Sequence, residues 1–85
     1  MNSVNLIGIL KDPIDDYFRY FEYELPYSDD PLKPTPRIVI KNWNGQPKSR
    51  ILTLQSGVKI ALHGHLDMNE KFGTILIVES FQGLK

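Results

Sequence analysis

Apolar and polar residues alternate with a period of two through most of this chain, the spacing of half-buried strands rather than of helices. Between residues 3 and 10, S-V-N-L-I-G-I-L, Val4, Leu6 and Leu10 share one parity, while Ile7 and Ile9 make the other face apolar as well. The segment reads as a strand that wants cover on both faces, with Gly8 allowing a sharp bend and Lys11-Asp12-Pro13 stopping it. Residues 17 to 25 alternate again, with Phe21, Tyr23 and Leu25 in one row and Phe18, Tyr20, Glu22 and Glu24 in the other. Asp29, Asp30, Pro31, Pro34 and Pro36 make the stretch from Tyr27 to Pro36 a stiff, extended loop. A strand from Arg37 to Asn44 follows, with Ile38, Ile40 and Asn42 facing inward and Arg37, Val39, Lys41 and Trp43 facing outward.

Asn44-Gly45 is a turn signal, and Pro47 suits the first position of a short helix that Gly57 ends. Ile51, Leu52 and Leu54 fit a helical turn or a strand, and Thr53 leans to strand; the expectation here is a short helix. Val58, Ile60, Leu62 and Leu66 then form an inner row, with Lys59, Ala61, His63 and His65 outside. Asn69 to Gly73 is a short hairpin loop, and Thr74 to Val78 is apolar at both parities. Five short strands, the first bent at glycine and with one segment inserted between the third and fourth, predict a small closed barrel forming a single domain over residues 1–85.

Charge changes this picture more than composition does. The chain is neutral, with ten basic and ten acidic residues, which argues against a strong nucleic-acid binder. Yet between residues 12 and 30 Arg19 is the single cation among seven acids, whereas residues 31 to 66 hold Lys33, Arg37, Lys41, Lys48, Arg50 and Lys59 with no acid, plus His63 and His65. A fold that gathers the second segment on one side makes a basic stripe. The outward row Arg37, Val39, Lys41 and Trp43 alternates cations with an apolar residue and a flat ring, which is what holds phosphates and stacks bases. A solvated strand face with Trp43 packed under a loop is the plainer reading of the same row. Absence of cysteine rules out a disulfide scaffold, a thiolate zinc site and a cysteine nucleophile, and it makes a cytoplasmic location the default. No apolar run approaches membrane-spanning length, so no membrane association is expected.

His63-Gly64-His65-Leu66-Asp67 sets two imidazoles and a carboxylate on one strand face, superficially like the H-x-H-x-D of metallohydrolases. The next ligand of that motif is missing, because Met68 follows Asp67 and the chain has no further histidine. Neither a metal nor any other cofactor is expected. No serine stands at a recognisable spacing from a base, so an enzyme is not expected either.

The opening N-S-V-N-L-I-G-I-L-K-D-P resembles the first strand of the bacterial single-stranded DNA-binding protein family, usually N-x-V-x-L-x-G-R-L-x-x-D-P. I-V-I-K-N-W, then V-K-I-A-L-H-G-H-L and T-I-L-I-V-E-S-F-Q, follow in the order of that family's third, fourth and fifth strands. A reduced barrel of this sort is also similar to primosomal replication protein N. The resemblance implies an all-β, five-stranded Greek-key barrel of the oligonucleotide/oligosaccharide-binding (OB) kind, with a short helix or turn between strands 3 and 4, in a shortened and tailless form. It implies binding of single-stranded DNA without sequence specificity, in an accessory role in replication, recombination or repair. RNA as the ligand, and an origin in a phage or mobile element, remain alternatives. So does a protein-binding adaptor of the same fold in a replication or primosome complex, with helicase, primase or polymerase as partner.

Trp43 falls where the family keeps a base-stacking aromatic, and Arg37, Val39 and Lys41 precede it on the same face. Tyr20, Lys48, Arg50, Lys59, His65 and Phe72, with Lys71 beside it, complete the candidate contacts. Ile9 departs from the family's arginine, the loop from Tyr27 to Pro36 is acidic rather than basic, and the last hairpin is shortened. Finally, Ile7, Ile9 and one row of Thr74 to Val78 cannot all be buried inside one small barrel, so a homo-oligomer, dimer or tetramer, is expected.

Overall fold

The computed structural model describes residues 2–24 and 36–84. Five strands, β1 (Val4–Pro13), β2 (Phe18–Tyr23), β3 (Arg37–Asn42), β4 (Lys59–Asn69) and β5 (Gly73–Gly83), and one short helix, α1 (Arg50–Thr53), follow one another along the chain. They close into a barrel in the order β1-β2-β3-β5-β4. All pairs are antiparallel except β3 with β5, which is parallel. Closure rests on β1, whose first half pairs with β4 from Val4 to Ile9 and whose second half pairs with β2 from Gly8 onward. Gly8 belongs to both ladders, and a Cβ there would overlap the carbonyl oxygen of Glu22.

The alternation seen in the sequence sorts the side chains as expected along most of the strands. Leu10, Phe21, Ile40, Ile60, Leu62, Leu76 and Val78 fill the barrel, and Ile51 and Leu52 of α1 close one end. Val4, Leu6, Tyr23 and Ile38 pack against that core from the same faces. The expected helix is present but begins at Arg50, after an N-cap at Ser49, so Pro47 is not its first residue. Gly57 does not end it; it lies in the turn that leads into β4.

Arg19 is the main departure from the expected core. It shares the parity of Phe21 and Tyr23, points inward and is fully buried. Its Nε and Nη2 donate to the Lys11 carbonyl at 3.0 and 2.7 Å. Nη1 donates to the carbonyls of Ile51, Leu52 and Leu54 at 3.3, 3.2 and 2.8 Å, and Nη2 to Ser56 Oγ at 3.3 Å. A helix as short as α1 leaves its last carbonyls without partners of its own, and the guanidinium supplies them. Burial lowers the Arg19 pKa while the Asp12 carboxylate opposes that effect, and a guanidinium so placed stays charged.

Two other positions differ from expectation. Leu66, assigned to the inner row, is 38% exposed. Pairing of β4 with β1 ends at Gly64 opposite Val4; beyond it β4 keeps β5 on one side, while on the other the Leu66 N–H meets the side chain of Asn2 at 2.6 Å instead of a strand. Val39 keeps its outward parity but is only 9% exposed. The register sets Tyr20 on one side of it, and one step back from the Ile40–Leu76 pair sets Ile75, itself buried, on the other. Val39 and Ile75 stand outside the main core cluster and form a small apolar layer on the outer face. Of the apolar residues expected to require a second copy, Ile75 is therefore buried within the chain, Ile9 and Ile77 are half-buried, and Ile7 is 45% exposed. Leu25 and the expected loop, except Pro36, lie outside the described residues.

Candidate nucleic-acid interface

The outer surface of β2 and β3 is built from three cross-strand pairs: Phe18 with Lys41, Tyr20 with Val39, and Glu22 with Arg37. Cations lie against rings along this face. The Arg37 guanidinium is 5.1 Å from the centre of the Tyr20 ring, and Lys41 Nζ is 5.8 Å from that of Phe18. Both distances fall within the range in which a ring's quadrupole attracts a cation. The β4–β5 hairpin loop adds Phe72, whose ring centre is 5.0 Å from that of Phe18 at a tilt of 54°, and Lys71, whose Nζ is 5.3 Å from the Phe72 ring. Together Tyr20, Phe18 and Phe72 make a line of rings flanked by Arg37, Lys41 and Lys71, with Val39 as part of its floor.

Local chemistry holds both ends of that line. Asp15 Oδ1 accepts hydrogen bonds from the backbone N–H groups of Tyr17 and Phe18 at 2.8 and 2.9 Å, which sets Phe18 at the start of β2. Asn69 Oδ1 accepts from the N–H groups of Lys71 and Phe72 at 2.8 and 3.1 Å, which closes the hairpin loop that carries Phe72. Both are side-chain turns of the kind that aspartate and asparagine form with the backbone just after them.

The remaining candidate residues lie elsewhere. Trp43, 63% exposed, comes after the end of β3, where its N–H donates to the Val78 carbonyl at 3.0 Å. With Asn42, Arg50, Ser80 and Phe81 it lines a shallow groove of about 400 Å³, and the Arg50 guanidinium is 5.9 Å from the Phe81 ring centre. His65 is two strands from Lys41 across Ile77, and its Nδ1 meets Glu79 at 3.1 Å. Lys59 lies on the far side of β1, opposite Ile9, and pairs with Glu24 at 3.3 Å. Lys48 sits in an exposed turn whose N–H bonds to the Asp16 carbonyl. His63 Nδ1 lies 2.7 Å from Asn5 Oδ1, so the two histidines have separate partners. Among the described residues no group of three His, Asp or Glu side chains could hold a metal ion.

In sequence, the chain matches no protein-family model and no curated protein. In structure it is similar to the N-terminal domain of PriB from Thermoanaerobacter tencongensis, solved as a dimer, with a TM-score of 0.59 at 19% identity over 99% of this chain and 97% of that one. It is also similar to the second single-stranded DNA-binding protein, SSBb, of Mycobacterium smegmatis, with a TM-score of 0.58 at 14% identity over 96% and 87% of the two chains. The chain has the OB fold. At these identities the likeness is one of fold, and it agrees with the resemblance read from the sequence.

OB folds that bind oligonucleotides do so on the face of strands 2 and 3 and with the loops after strands 1 and 4. Phe18, at the end of the first of those loops, and Phe72, in the second, join this face in the present OB fold. Phe18 is the member of this face that sequence reasoning passed over, although its parity with Tyr20 already put it outside. Glu22, which shares the row of Phe18 and Tyr20 and belongs to the acidic stretch, lies on the same face. Its carboxylate meets Lys11 Nζ at 3.1 Å and Arg37 Nη2 at 3.2 Å. Hydrogen bonding from Lys11, and after it from Arg37, holds the Glu22 pKa below the usual carboxylate range, against the opposing effect of burial.

Proposed function

We propose that the protein binds single-stranded DNA without sequence specificity across its β2–β3 face, as an accessory of DNA replication, recombination or repair. The observation that carries this reading is the interleaving of Tyr20, Phe18 and Phe72 with Arg37, Lys41 and Lys71 on one open surface. Rings offer stacking to any base, and the cations offer phosphate contacts that do not depend on sequence. Trp43 and Arg50 extend the path past the end of β3, His65 lies beyond Ile77, and Lys59 and Lys48 are peripheral. The resemblance to single-stranded DNA-binding proteins and the likeness to PriB and SSBb support the same assignment.

Titration of the Trp43 fluorescence with an oligothymidylate at several salt concentrations tests it. Three cations on the face set the steepest expected log-log salt slope at about −2, from roughly −0.7 per phosphate on single strands. Duplex DNA of the same length should bind more weakly, because its bases are stacked and paired. Failure to bind any oligonucleotide at low salt would favour the protein-adaptor reading, and tighter binding of an oligouridylate would move the assignment to RNA.

Trp43→Ala should weaken binding by about 1–3 kcal/mol, the worth of one base stack, and leave the melting temperature unchanged. Ile40→Ala on the opposite face, fully buried, should instead cost roughly 2–5 kcal/mol of stability. Equal losses of stability in the two variants would place Trp43 in a structural role.

The same proposal includes a homo-oligomer. Ile7 is exposed beside half-buried Ala61 on the outer face of β1 and β4, and the similar PriB domain is described as a dimer. Sedimentation at micromolar concentration should show a species at least twice the 9.8 kDa chain mass, and Ile7→Glu should dissociate it. A monomer at that concentration contradicts this part of the proposal.

A further inference from the structure

Glu22 is the one acidic residue within β2 and β3. It stands at the end of the ring line, its side chain 22% exposed, with one carboxylate oxygen on Lys11 and the other on Arg37. Arg37, so held, lies over the Tyr20 ring, on a face that a base would use. The free protein therefore presents this end of the surface with its guanidinium paired and its ring covered.

We propose that Glu22 competes with the ligand's phosphate for Arg37, and so sets the affinity and salt dependence of the face. This inference rests on the reading of the β2–β3 face as the nucleic-acid site. A single strand brings both replacements at once: a phosphate takes the place of the Glu22 carboxylate on Arg37, and a base takes the place of Arg37 on Tyr20. Each exchange trades one contact for another of the same kind, so Arg37 contributes less to affinity than an unpaired cation would. Glu22 stays in the bound state as a desolvated anion close to the phosphates, a further opposing effect. Removing its charge leaves Arg37 available without disturbing the core, because Glu22 faces outward.

The test measures binding of a labelled oligothymidylate by anisotropy to Glu22→Gln, Arg37→Ala and the double variant, with Glu24→Gln as a control for net charge. Glu24 pairs with Lys59, away from the ring line. Glu22→Gln should tighten binding roughly twofold to fivefold, the range of one ion pair at the surface, and steepen the log-log salt slope by about 0.7. Glu24→Gln should tighten it less than about twofold. In the Arg37→Ala background the effect of Glu22→Gln should shrink to that of Glu24→Gln. Tightening that survives without Arg37, or an unchanged or weakened Glu22→Gln, overturns the proposal. If Arg37→Ala and charge reversal at Lys41 also leave affinity unchanged, the site assignment itself has failed. If they weaken binding while Glu22→Gln does not tighten it, only the competition is refuted.

Discussion

Replacing Arg19 by methionine is expected to lower the unfolding free energy by roughly 3–5 kcal/mol, the cost of removing one member of a buried charged network. The side chains are similar in volume, so the loss comes from chemistry rather than from a cavity. The carbonyls of Lys11, Ile51, Leu52 and Leu54 would lose the donor that now serves them, and an unsatisfied buried carbonyl costs about 1–3 kcal/mol. Asp12, linked through Ser56 Oγ, would also lose its nearest buried cation. Because Arg19 ties β1, α1 and the segment after α1 together, its loss should loosen the plugged end of the barrel first. Urea unfolding measures the change, and Arg19→Lys should recover little of it, since one ammonium cannot reach these separated acceptors. An unfolding free energy within about 1 kcal/mol of the wild type would show that water serves these carbonyls well enough.

Gly64→Ala should be at least as damaging. Gly64 sits beside the irregularity in the β4–β5 ladder, opposite Val78, and is buried. A Cβ there would overlap the Ile77 carbonyl oxygen and come within 3.2 Å of Val78 Cα, all backbone that cannot rotate away. The two strands would have to part where the barrel wall bends. Domains hold roughly 0.05–0.15 kcal/mol per residue, so an expected loss of about 4 kcal/mol removes between about a third and the whole of the stability of an 85-residue chain. Gly8→Ala meets the same obstacle at the Glu22 carbonyl and should behave alike, whereas Gly83→Ala, with open space around it, should be neutral. Circular-dichroism melts of the three variants decide the matter, and a Gly64→Ala protein melting with the wild type would contradict the tight approach of β4 to β5.

The strands were legible because both faces obey period two where the barrel wall is continuous, as in β1, β2 and the first half of β4. Legibility failed where a residue's neighbours come from elsewhere in the chain. Arg19 has the parity of Phe21, but charge argued against burial until the carbonyls of α1 and β1 were seen to surround it. Leu66 follows the inner row faultlessly, yet the pairing of β4 with β1 stops at Gly64, short of it. β5 continues from Val78 to Gly83 through Glu79-Ser80, a polar pair that hides the ladder irregularity and so reads as the end of a strand. In the candidate site, the row Arg37, Val39 and Lys41 was visible in the sequence. The partnership of Phe18 with Phe72 was not, because it joins residues separated by most of the chain. Trp43 kept its exposure but not its place in the row, since β3 ends one residue before it.

The central claim, that single strands bind on the β2–β3 face, is tested most directly by comparing two charge reversals of equal size. Lys41 lies on Phe18 in the middle of the face and, among the described residues, has no ion pair, while Lys59 lies across β1 on Glu24. Anisotropy titration with one oligothymidylate at one low salt concentration should show Lys41→Glu weakened about tenfold or more and Lys59→Glu by less than about threefold, with both proteins folded. Equal losses for the two variants would mean that only overall charge matters, and an unchanged Lys41→Glu would place the binding surface elsewhere on the barrel.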